Sequence, residues 1–407
     1  MAKIQVLPSG EDTSVPFLRG ILTRSLQDAG LPFEKAYELA SSVRDELDNS
    51  DTITTDDLRD KVIARLNKEY GKKMGDRYKA AVRAHHPIMI EYEDGQLMPF
   101  SRGYYRRCME SIGLPPDEAM MVTAKMYDHL MAKKVSQITA QHVGEMTYRC
   151  LSQDQDFGPA VARRYLVWID FLRSGRPLIL LIGGTAGCGK STVATELANR
   201  LEIVRTQSTD GLREVMRMMI PKRLMPVLHS SSFKAWEAIP ESEHTSDMDE
   251  LLSRGYRSQA ELLSVPCEAV IQRALKERVS MILEGVHVHP LLLEKLPKDT
   301  DALVVPILLA VLKPEELRKR IRGRGTHAPQ RRSERYLENF GTIWRLQSYL
   351  LSEADKFKIP IIPNENKEKV VREVMRTVIC SLSEEFSSDP ATVFNNGGCA
   401  SKSVGNG

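Results

Sequence analysis

Residues 178–192 contain the feature that most constrains the fold: an apolar run, a glycine-rich loop and a helix-forming stretch. The loop fits the pattern Gly-x-x-x-x-Gly-Lys-Ser/Thr from Gly184 to Ser191. Glycines allow the tight backbone in which successive N–H groups point at one phosphate, and the following helix N-terminus adds positive partial charge. The preceding run, 178–183, has the continuous apolar character of a strand buried on both faces. The sequence therefore predicts a nucleotide phosphate-binding loop between a buried strand and a helix.

Each residue of this loop has a predicted role. The residues predicted to bind ATP are Gly184, Thr185, Ala186, Gly187, Cys188, Gly189, Lys190, Ser191 and Thr192. Lys190 is expected to reach the β- and γ-phosphates and to act in catalysis, and the Ser191 hydroxyl is expected to bind Mg²⁺. Cys188 is interpreted as a small filling side chain, because a reactive thiol requires a lowered pKa.

The rest of the C-terminal half alternates apolar runs with charged helical stretches. The predicted strands are Leu178–Gly183, Glu202–Thr206, Ser280–Glu284, Ala302–Leu312 and Ile359–Ile362. Strands that are buried on both faces and separated by helices predict an α/β fold with a parallel sheet flanked by helices.

Carboxylates follow two of these runs. Asp210 opens a helix after the second strand, where ligands bind in open α/β sheets. There Asp210 could orient or deprotonate an attacking hydroxyl, and Arg213 could hold an anionic substrate group. The alternative interpretation makes Asp210 a helix N-cap. Glu284 ends the third run and is a candidate Mg²⁺ ligand through water, whereas His287 and His289 lack a third metal ligand nearby.

A basic segment lies between Lys313 and Arg335, with nine Lys and Arg residues against three Glu. Such a segment in a phosphate-binding domain predicts a lid that stabilises charge on the transferring phosphoryl group. The alternative is a solvated basic helix with weak affinity for nucleic acid. The lid, together with the lack of a GTPase base-specificity motif, favours a kinase over a GTPase or a motor.

The first 170 residues contain a tandem duplication. Pro16-Phe17-Leu18-Arg19-Gly20 returns as Pro99-Phe100-Ser101-Arg102-Gly103, 83 residues later. Each copy is expected to open with a β-hairpin, around Ser9-Gly10 and Asp94-Gly95, and to continue as helices. The predicted domains are residues 1–86, 87–173 and 174–385, followed by a disordered tail, 386–407, that is poor in large apolar residues.

Composition limits the remaining possibilities. A net charge of +3, 42% hydrophobic and 27% charged residues fit a soluble globular protein and argue against a general nucleic-acid partner. No run approaches the roughly 20 apolar residues of a membrane span, and no signal peptide is recognised. Six scattered cysteines argue against disulfides and for the cytoplasm. A homo-oligomer is left open.

Three stretches resemble known families. Residues 178–384 resemble the nucleoside-monophosphate-kinase-like P-loop kinases, and Arg320-Ile321-Arg322-Gly323-Arg324 is similar to the start of the adenylate-kinase lid. That resemblance implies that Arg320 and Arg324 are phosphate-binding, catalytic arginines. Residues 1–85 and 88–168 each resemble an ATP-cone, a small regulatory ATP-binding domain, through the repeated Pro-Phe-x-Arg-Gly segment.

An ATP-cone-like N-terminus joined to this kinase type resembles the 2-phosphoglycerate kinase family. The resemblance implies transfer of phosphate from ATP, with Mg²⁺, to the 3-hydroxyl of 2-phosphoglycerate, giving 2,3-bisphosphoglycerate. It also allows another small anionic acceptor, such as an inositol phosphate. Two other classes stay open: an ATP-responsive regulatory protein with a vestigial kinase domain, and a kinase or translocase directed at nucleic acid.

Overall fold

The computed structural model describes residues 4–7, 14–47, 52–83, 88–133, 135–154, 157–240, 245–297, 299–327 and 333–395. The chain divides into two compact units, one of residues 1–100 with 128–140 and the other of residues 101–127 with 141–407. This division separates the strands of the second repeat from most of its helices. Among the described residues, no helix combines the length and apolar character needed to cross a bilayer.

The N-terminal half contains short strands and amphipathic helices. Its elements are β1 (Gln5–Leu7), β2 (Val15–Pro16), α1 (Arg19–Asp28), α2 (Phe33–Glu46), β3 (Thr52–Thr54), α3 (Thr55–Tyr70), α4 (Lys72–Arg83), β4 (Met89–Glu91), β5 (Leu97–Pro99), α5 (Arg102–Ser111), α6 (Pro116–Ala132), β6 (Gln137–Thr139), α7 (Ala140–Gln153) and α8 (Gly158–Ser174).

The duplication seen in the sequence is repeated in the backbone. The two sheets have equivalent orders, β2-β1-β3 and β5-β4-β6, with one antiparallel and one parallel pairing in each. The β4–β5 hairpin turns at Asp94-Gly95 as predicted, and Asp94 Oδ1 accepts a 3.0 Å hydrogen bond from the Gln96 N–H. The turn predicted at Ser9-Gly10 lies outside the described residues. The third strand of each sheet was not predicted, because three residues give too short a pattern.

The C-terminal part is an α/β domain. Its elements are β7 (Leu178–Gly183), α9 (Lys190–Arg200), β8 (Arg205–Ser208), α10 (Thr209–Met219), two 3₁₀ helices (Pro226–His229 and Ser232–Ala238), α11 (Met248–Lys276), β9 (Met281–Glu284), α12 (Pro290–Glu294), β10 (Leu303–Ala310), α13 (Pro314–His327), α14 (Ser333–Glu338), α15 (Phe340–Lys356), β11 (Ile361–Pro363), α16 (Lys367–Leu382) and α17 (Pro390–Asn395).

The five strands form one parallel sheet in the order β11-β10-β7-β9-β8. Each predicted apolar run supplies one strand, so the predicted parallel α/β fold is confirmed. All six residues of β7, at the centre, are buried. Side chains of β7 and β9 share an apolar cluster with α11, and α9 and α16 also pack against the sheet.

The first ten residues of the tail, which were predicted to be disordered, have a described structure. Residues 386–395 are described, and they include α17. The Phe386 ring packs edge-on against Phe171 at 5.6 Å, and Phe394 is buried beside Gly144. Two aromatic rings thus provide apolar contacts in a segment whose composition is otherwise that of a disordered chain. Residues 396–407 lie outside the described residues.

Candidate active site

The register of the sheet brings three predicted site segments to one edge. Glu284, the last residue of β9, pairs with Ile182 of β7 on one side and Ser208 of β8 on the other. The strands are parallel, so their carboxyl ends meet there. The phosphate-binding loop leaves β7 and Asp210 follows β8 at this edge, which is where ligands bind in open α/β sheets.

The loop backbone depends on its glycines. Gly187 and Gly189 have φ values of 90° and 89°, a region that favours glycine. A Cβ on Gly189 would lie 2.5 Å from the side-chain nitrogen of Asn364, and one on Gly187 would lie 2.9 Å from side-chain carbons of Leu317 and Ile321 in α13. The loop is therefore closely surrounded by two other segments.

The side chains inside the loop leave polar groups available for a ligand. Lys190, buried at the start of α9, donates a 2.9 Å hydrogen bond from Nζ to the Thr185 carbonyl. The Thr185 hydroxyl is buried and has no hydrogen-bond partner among the described residues. Cys188 is fully buried, as expected of a filling side chain. Ala186 belongs to the same turn and Thr192 to the first turn of α9. The loop fits a nucleotide phosphate.

The Ser191 hydroxyl and the Glu284 carboxylate lie together, with a 2.8 Å hydrogen bond from Oγ to Oε1. Glu284 is 9% exposed and Ser191 is on the solvent side of α9. Hydroxyl and carboxylate oxygens are the hard donors that Mg²⁺ prefers. The pair fits the predicted Mg²⁺ position beside the loop.

Asp210 is not the cap of its helix. The N-cap of α10 is Ser208, whose Oγ accepts from the N–H groups of Asp210 and Gly211. The Asp210 side chain is 64% exposed and lies 3.6 Å from a guanidinium nitrogen of Arg213. Its carboxylate is therefore open to a substrate at the carboxyl edge of the sheet.

A buried histidine contacts Thr209, the residue that precedes Asp210. His287 is 2% exposed, and its ring nitrogens contact Thr209 Oγ1 at 3.2 Å and Gln259 Oε1 at 2.8 Å. Burial lowers the pKa of His287 to about 3, against a smaller raising effect of Asp210; the charges of Arg213 and Lys190 lower it further. The charges of Asp210, Arg213 and Lys190 are thus all close enough to His287 to change its pKa.

His289 belongs to a different cluster. Its Nε2 lies 3.4 Å from Glu353 Oε2, and its Nδ1 accepts a hydrogen bond from the Leu291 N–H at 3.3 Å. Burial lowers the pKa of His289 to about 4. The ring nitrogens of both histidines are thus engaged by protein groups, and no cluster of three or more metal-ligating side chains occurs in the described part of the chain.

The basic segment begins next to the phosphate-binding loop. Arg320 on α13 donates a 3.0 Å hydrogen bond to the Glu365 carbonyl, and its NH1 lies 4.0 Å from the position of a Cβ on Gly189. The helix continues through Gly323 to His327. The Arg324 backbone is helical, but its side chain and residues 328–332 lie outside the described part.

Sequence reasoning missed two residues of this site. Asn364, 6% exposed, donates a 2.8 Å hydrogen bond from Nδ2 to the Cys188 carbonyl. Gln259 of α11, fully buried, donates to the carbonyls of Val227 and Ser230. Asn364 directly follows β11 at the ligand-binding edge, which was a usable signal, whereas the middle of a long helix offered none for Gln259.

The parallel sheet, the phosphate-binding loop and the oxygen pair beside it define a P-loop phosphotransferase. A family model described as an AAA domain matches residues 180–341. The 2-phosphoglycerate kinases of Pyrococcus horikoshii and Thermococcus kodakarensis are similar to this chain. They share 33% identity over 72% of this chain and 93% of the relative, and 34% over 73% and 98%, respectively.

A third 2-phosphoglycerate kinase, from Methanocaldococcus jannaschii, is 34% identical over 71% of this chain and 93% of its own length. The chain belongs to the 2-phosphoglycerate kinase family. A solved gluconokinase from Sinorhizobium meliloti 1021 aligns with 16% identity and a TM-score of only 0.28, over 51% of this chain and 94% of that one.

Proposed function

We propose that this chain transfers the γ-phosphoryl group of ATP to the 3-hydroxyl of 2-phosphoglycerate, giving 2,3-bisphosphoglycerate and ADP. The observation that carries the proposal is the shared sheet edge. There Lys190 and Ser191 follow β7, Glu284 ends β9 and Asp210 follows β8, and these three strands are neighbours. Membership of the 2-phosphoglycerate kinase family supports the acceptor.

The donor side of the reaction uses the loop. The backbone N–H groups of residues 184–191 and Lys190 bind the phosphates of ATP, and Ser191 with Glu284 holds Mg²⁺. When bound, Mg²⁺ would neutralise part of the negative charge on the phosphates. Arg320 and Arg324 stabilise the charge that develops on the transferring group. The position of Arg320 beside Gly189 supports this role.

The acceptor side uses the end of β8. Asp210 accepts the proton of the acceptor hydroxyl while the oxygen of that hydroxyl bonds to the γ-phosphorus. The bond from the γ-phosphorus to the β-phosphate oxygen breaks at the same time, and ADP leaves. Arg213, 3.6 Å from Asp210, binds an anionic group of the acceptor. The open Asp210 carboxylate supports this arrangement, because a capping carboxylate would be occupied.

The proposal keeps the predicted organisation of two ATP-cone-like repeats, 1–86 and 87–173, before a kinase domain, 174–385, and a tail. The equivalent sheets of the two repeats support their common origin. We further propose a cytoplasmic location and a small phosphorylated substrate, with no membrane or nucleic-acid partner.

The test is ADP release with ATP and Mg²⁺ across 2-phosphoglycerate, 3-phosphoglycerate and inositol phosphates. Selective turnover of 2-phosphoglycerate, with kcat reduced at least about 100-fold in Asp210→Asn, is expected for loss of a general base. Turnover of another acceptor would keep the kinase and discard this substrate. ATP binding without acceptor-dependent ADP release would favour the regulatory protein instead.

A further inference from the structure

Two arginines from different helices meet at a pair of serines near the end of β8. Arg213 of α10 donates from NH1 to the Ser230 carbonyl at 3.2 Å, and Arg335 of α14 donates from NH2 to Ser231 Oγ at 2.9 Å. Aromatic packing supports the second contact, because Tyr336, next to Arg335, lies 5.5 Å from the buried ring of Phe233. Both guanidinium groups are thus brought to one short segment, 230–231.

The charge of these two arginines is only partly balanced. The one carboxylate beside Arg213 is Asp210, at 3.6 Å, and the buried Nε of Arg213 has no partner among the described residues. Arg335 is exposed, and its partner in the described part of the chain is the neutral hydroxyl of Ser231. Guanidinium groups match phosphate oxygens in geometry and charge. The pair therefore suits an anion with several acceptor oxygens.

A buried hydrogen-bond chain fixes the backbone of this segment. The side-chain amide of Gln259 donates to the carbonyls of Val227 and Ser230, at 2.5 and 3.0 Å. These two acceptors set the orientation of the amide, so Gln259 Oε1 faces His287 Nε2, which must carry the proton. Nδ1 of His287 then accepts from the Thr209 hydroxyl. Burial lowers the pKa of His287 and keeps the imidazole neutral, and the ring links Thr209 to Gln259, which holds the serine segment.

We propose that Arg213, Arg335 and Ser231 form the subsite for the phosphate that the acceptor already carries, and that Gln259 and His287 are positioning residues for it. This inference rests on the proposed function. Arg213 contacts Asp210, so the bound phosphate lies close to the carboxylate that takes the hydroxyl proton. The subsite therefore selects small phosphomonoesters whose free hydroxyl is on a neighbouring carbon, as in 2-phosphoglycerate.

The decisive experiment measures KM for 2-phosphoglycerate, KM for ATP and kcat in Arg335→Ala. Loss of a charge-assisted hydrogen bond predicts a rise of about 10- to 100-fold in KM for 2-phosphoglycerate, with KM for ATP within twofold of wild type. Arg335→Lys keeps the charge and is expected to recover part of the loss. Arg345→Ala is the matched control, because Arg345 pairs with the exposed Asp249 at 2.7 Å and should leave all three constants unchanged.

The positioning residues are tested by His287→Phe and His287→Gln. The phenyl ring removes both hydrogen bonds and should raise KM for the acceptor more than KM for ATP. Glutamine can donate and accept, so it should restore part of the acceptor affinity. A purely structural role of His287 would instead lower the stability of both variants without a selective change in acceptor KM.

Failure of the subsite and failure of the proposed function give different results. If wild type turns over 2-phosphoglycerate and Arg335→Ala leaves its KM within twofold, the subsite is refuted and the function stands. If wild type uses another phosphorylated acceptor, the proposed substrate fails, and a selective KM rise for that acceptor supports the subsite. If no acceptor reacts, calorimetry with 2-phosphoglycerate and inorganic phosphate decides. If wild type binds and Arg335→Ala binds more weakly, the subsite is supported. If wild type does not bind, the subsite is overturned.

Discussion

Asn364 offers a sharp test of how the phosphate-binding loop keeps its shape. Its side chain is buried and donates to the Cys188 carbonyl at 2.8 Å, across 176 positions of sequence. In a trans peptide the C=O and the following N–H point in opposite directions. Holding the Cys188 carbonyl toward Asn364 therefore turns the Gly189 N–H away from Asn364. Asn364→Ala removes this anchor.

The expected magnitude follows from the same contact. A buried carbonyl left without its donor costs about 1–3 kcal/mol of folding free energy. If the peptide then rotates, the loop loses one N–H donor to a charged phosphate, and such a bond contributes about 1.5–3 kcal/mol. We expect KM for ATP to rise about 10-fold or more, with a smaller change in KM for the acceptor.

The assay combines urea unfolding with steady-state kinetics, and Asn366→Ala is the control. Asn366 is the N-cap of α16 and accepts from the N–H groups of Glu368 and Lys369, so its loss costs about 1 kcal/mol of stability without touching the loop. If both variants lose stability but Asn364→Ala keeps the wild-type KM for ATP, the anchoring argument is wrong.

Three further predictions concern groups at the same edge. Lys190→Ala should lower kcat/KM by about 100-fold or more while circular dichroism stays native, since a preorganised charge on the phosphates is lost. Glu284→Gln should raise the Mg²⁺ concentration needed for half-maximal rate by about 10-fold, and unchanged Mg²⁺ dependence would remove Glu284 from the metal position. The pKa of His287 is about 3 in the folded state and near 6.5 in the unfolded state. Between these pH values the unfolded chain binds more protons than the folded chain, so the free energy of unfolding falls as pH drops through this window. His287→Gln should flatten the dependence of unfolding free energy on pH by up to one proton there, as measured by urea unfolding.

The sequence predicted those parts of the site that are encoded locally. The loop motif and the apolar runs before Glu284 and Asp210 depend on neighbouring residues, and parallel pairing then brings them to one edge. Local sequence could not place Asn364 or Gln259, because their partners lie far away along the chain. It also could not show that Ser208, rather than Asp210, caps α10, since both residue types are good N-caps and only the observed hydrogen bonds distinguish them.

The two copies of the duplication have become physically different. Buried apolar residues of the first copy, between Ile4 and Tyr78, form a hydrophobic cluster of their own. In the second copy, helix α5 instead packs against α9, and Ser111 Oγ donates to the carbonyl of Arg200.

This contact matters because Arg200 is a buried, charged residue of the kinase domain. It is 6% exposed, ends the helix that begins at Lys190, and lies within 4 Å of carboxylates from α5, α9 and α16. A buried cation needs such partners, because an unpaired charge away from water is costly. One of those carboxylates, Glu110, is supplied by the second copy. The second copy therefore contributes one of the carboxylates that balance the buried charge at the end of α9, the helix that begins in the phosphate-binding loop.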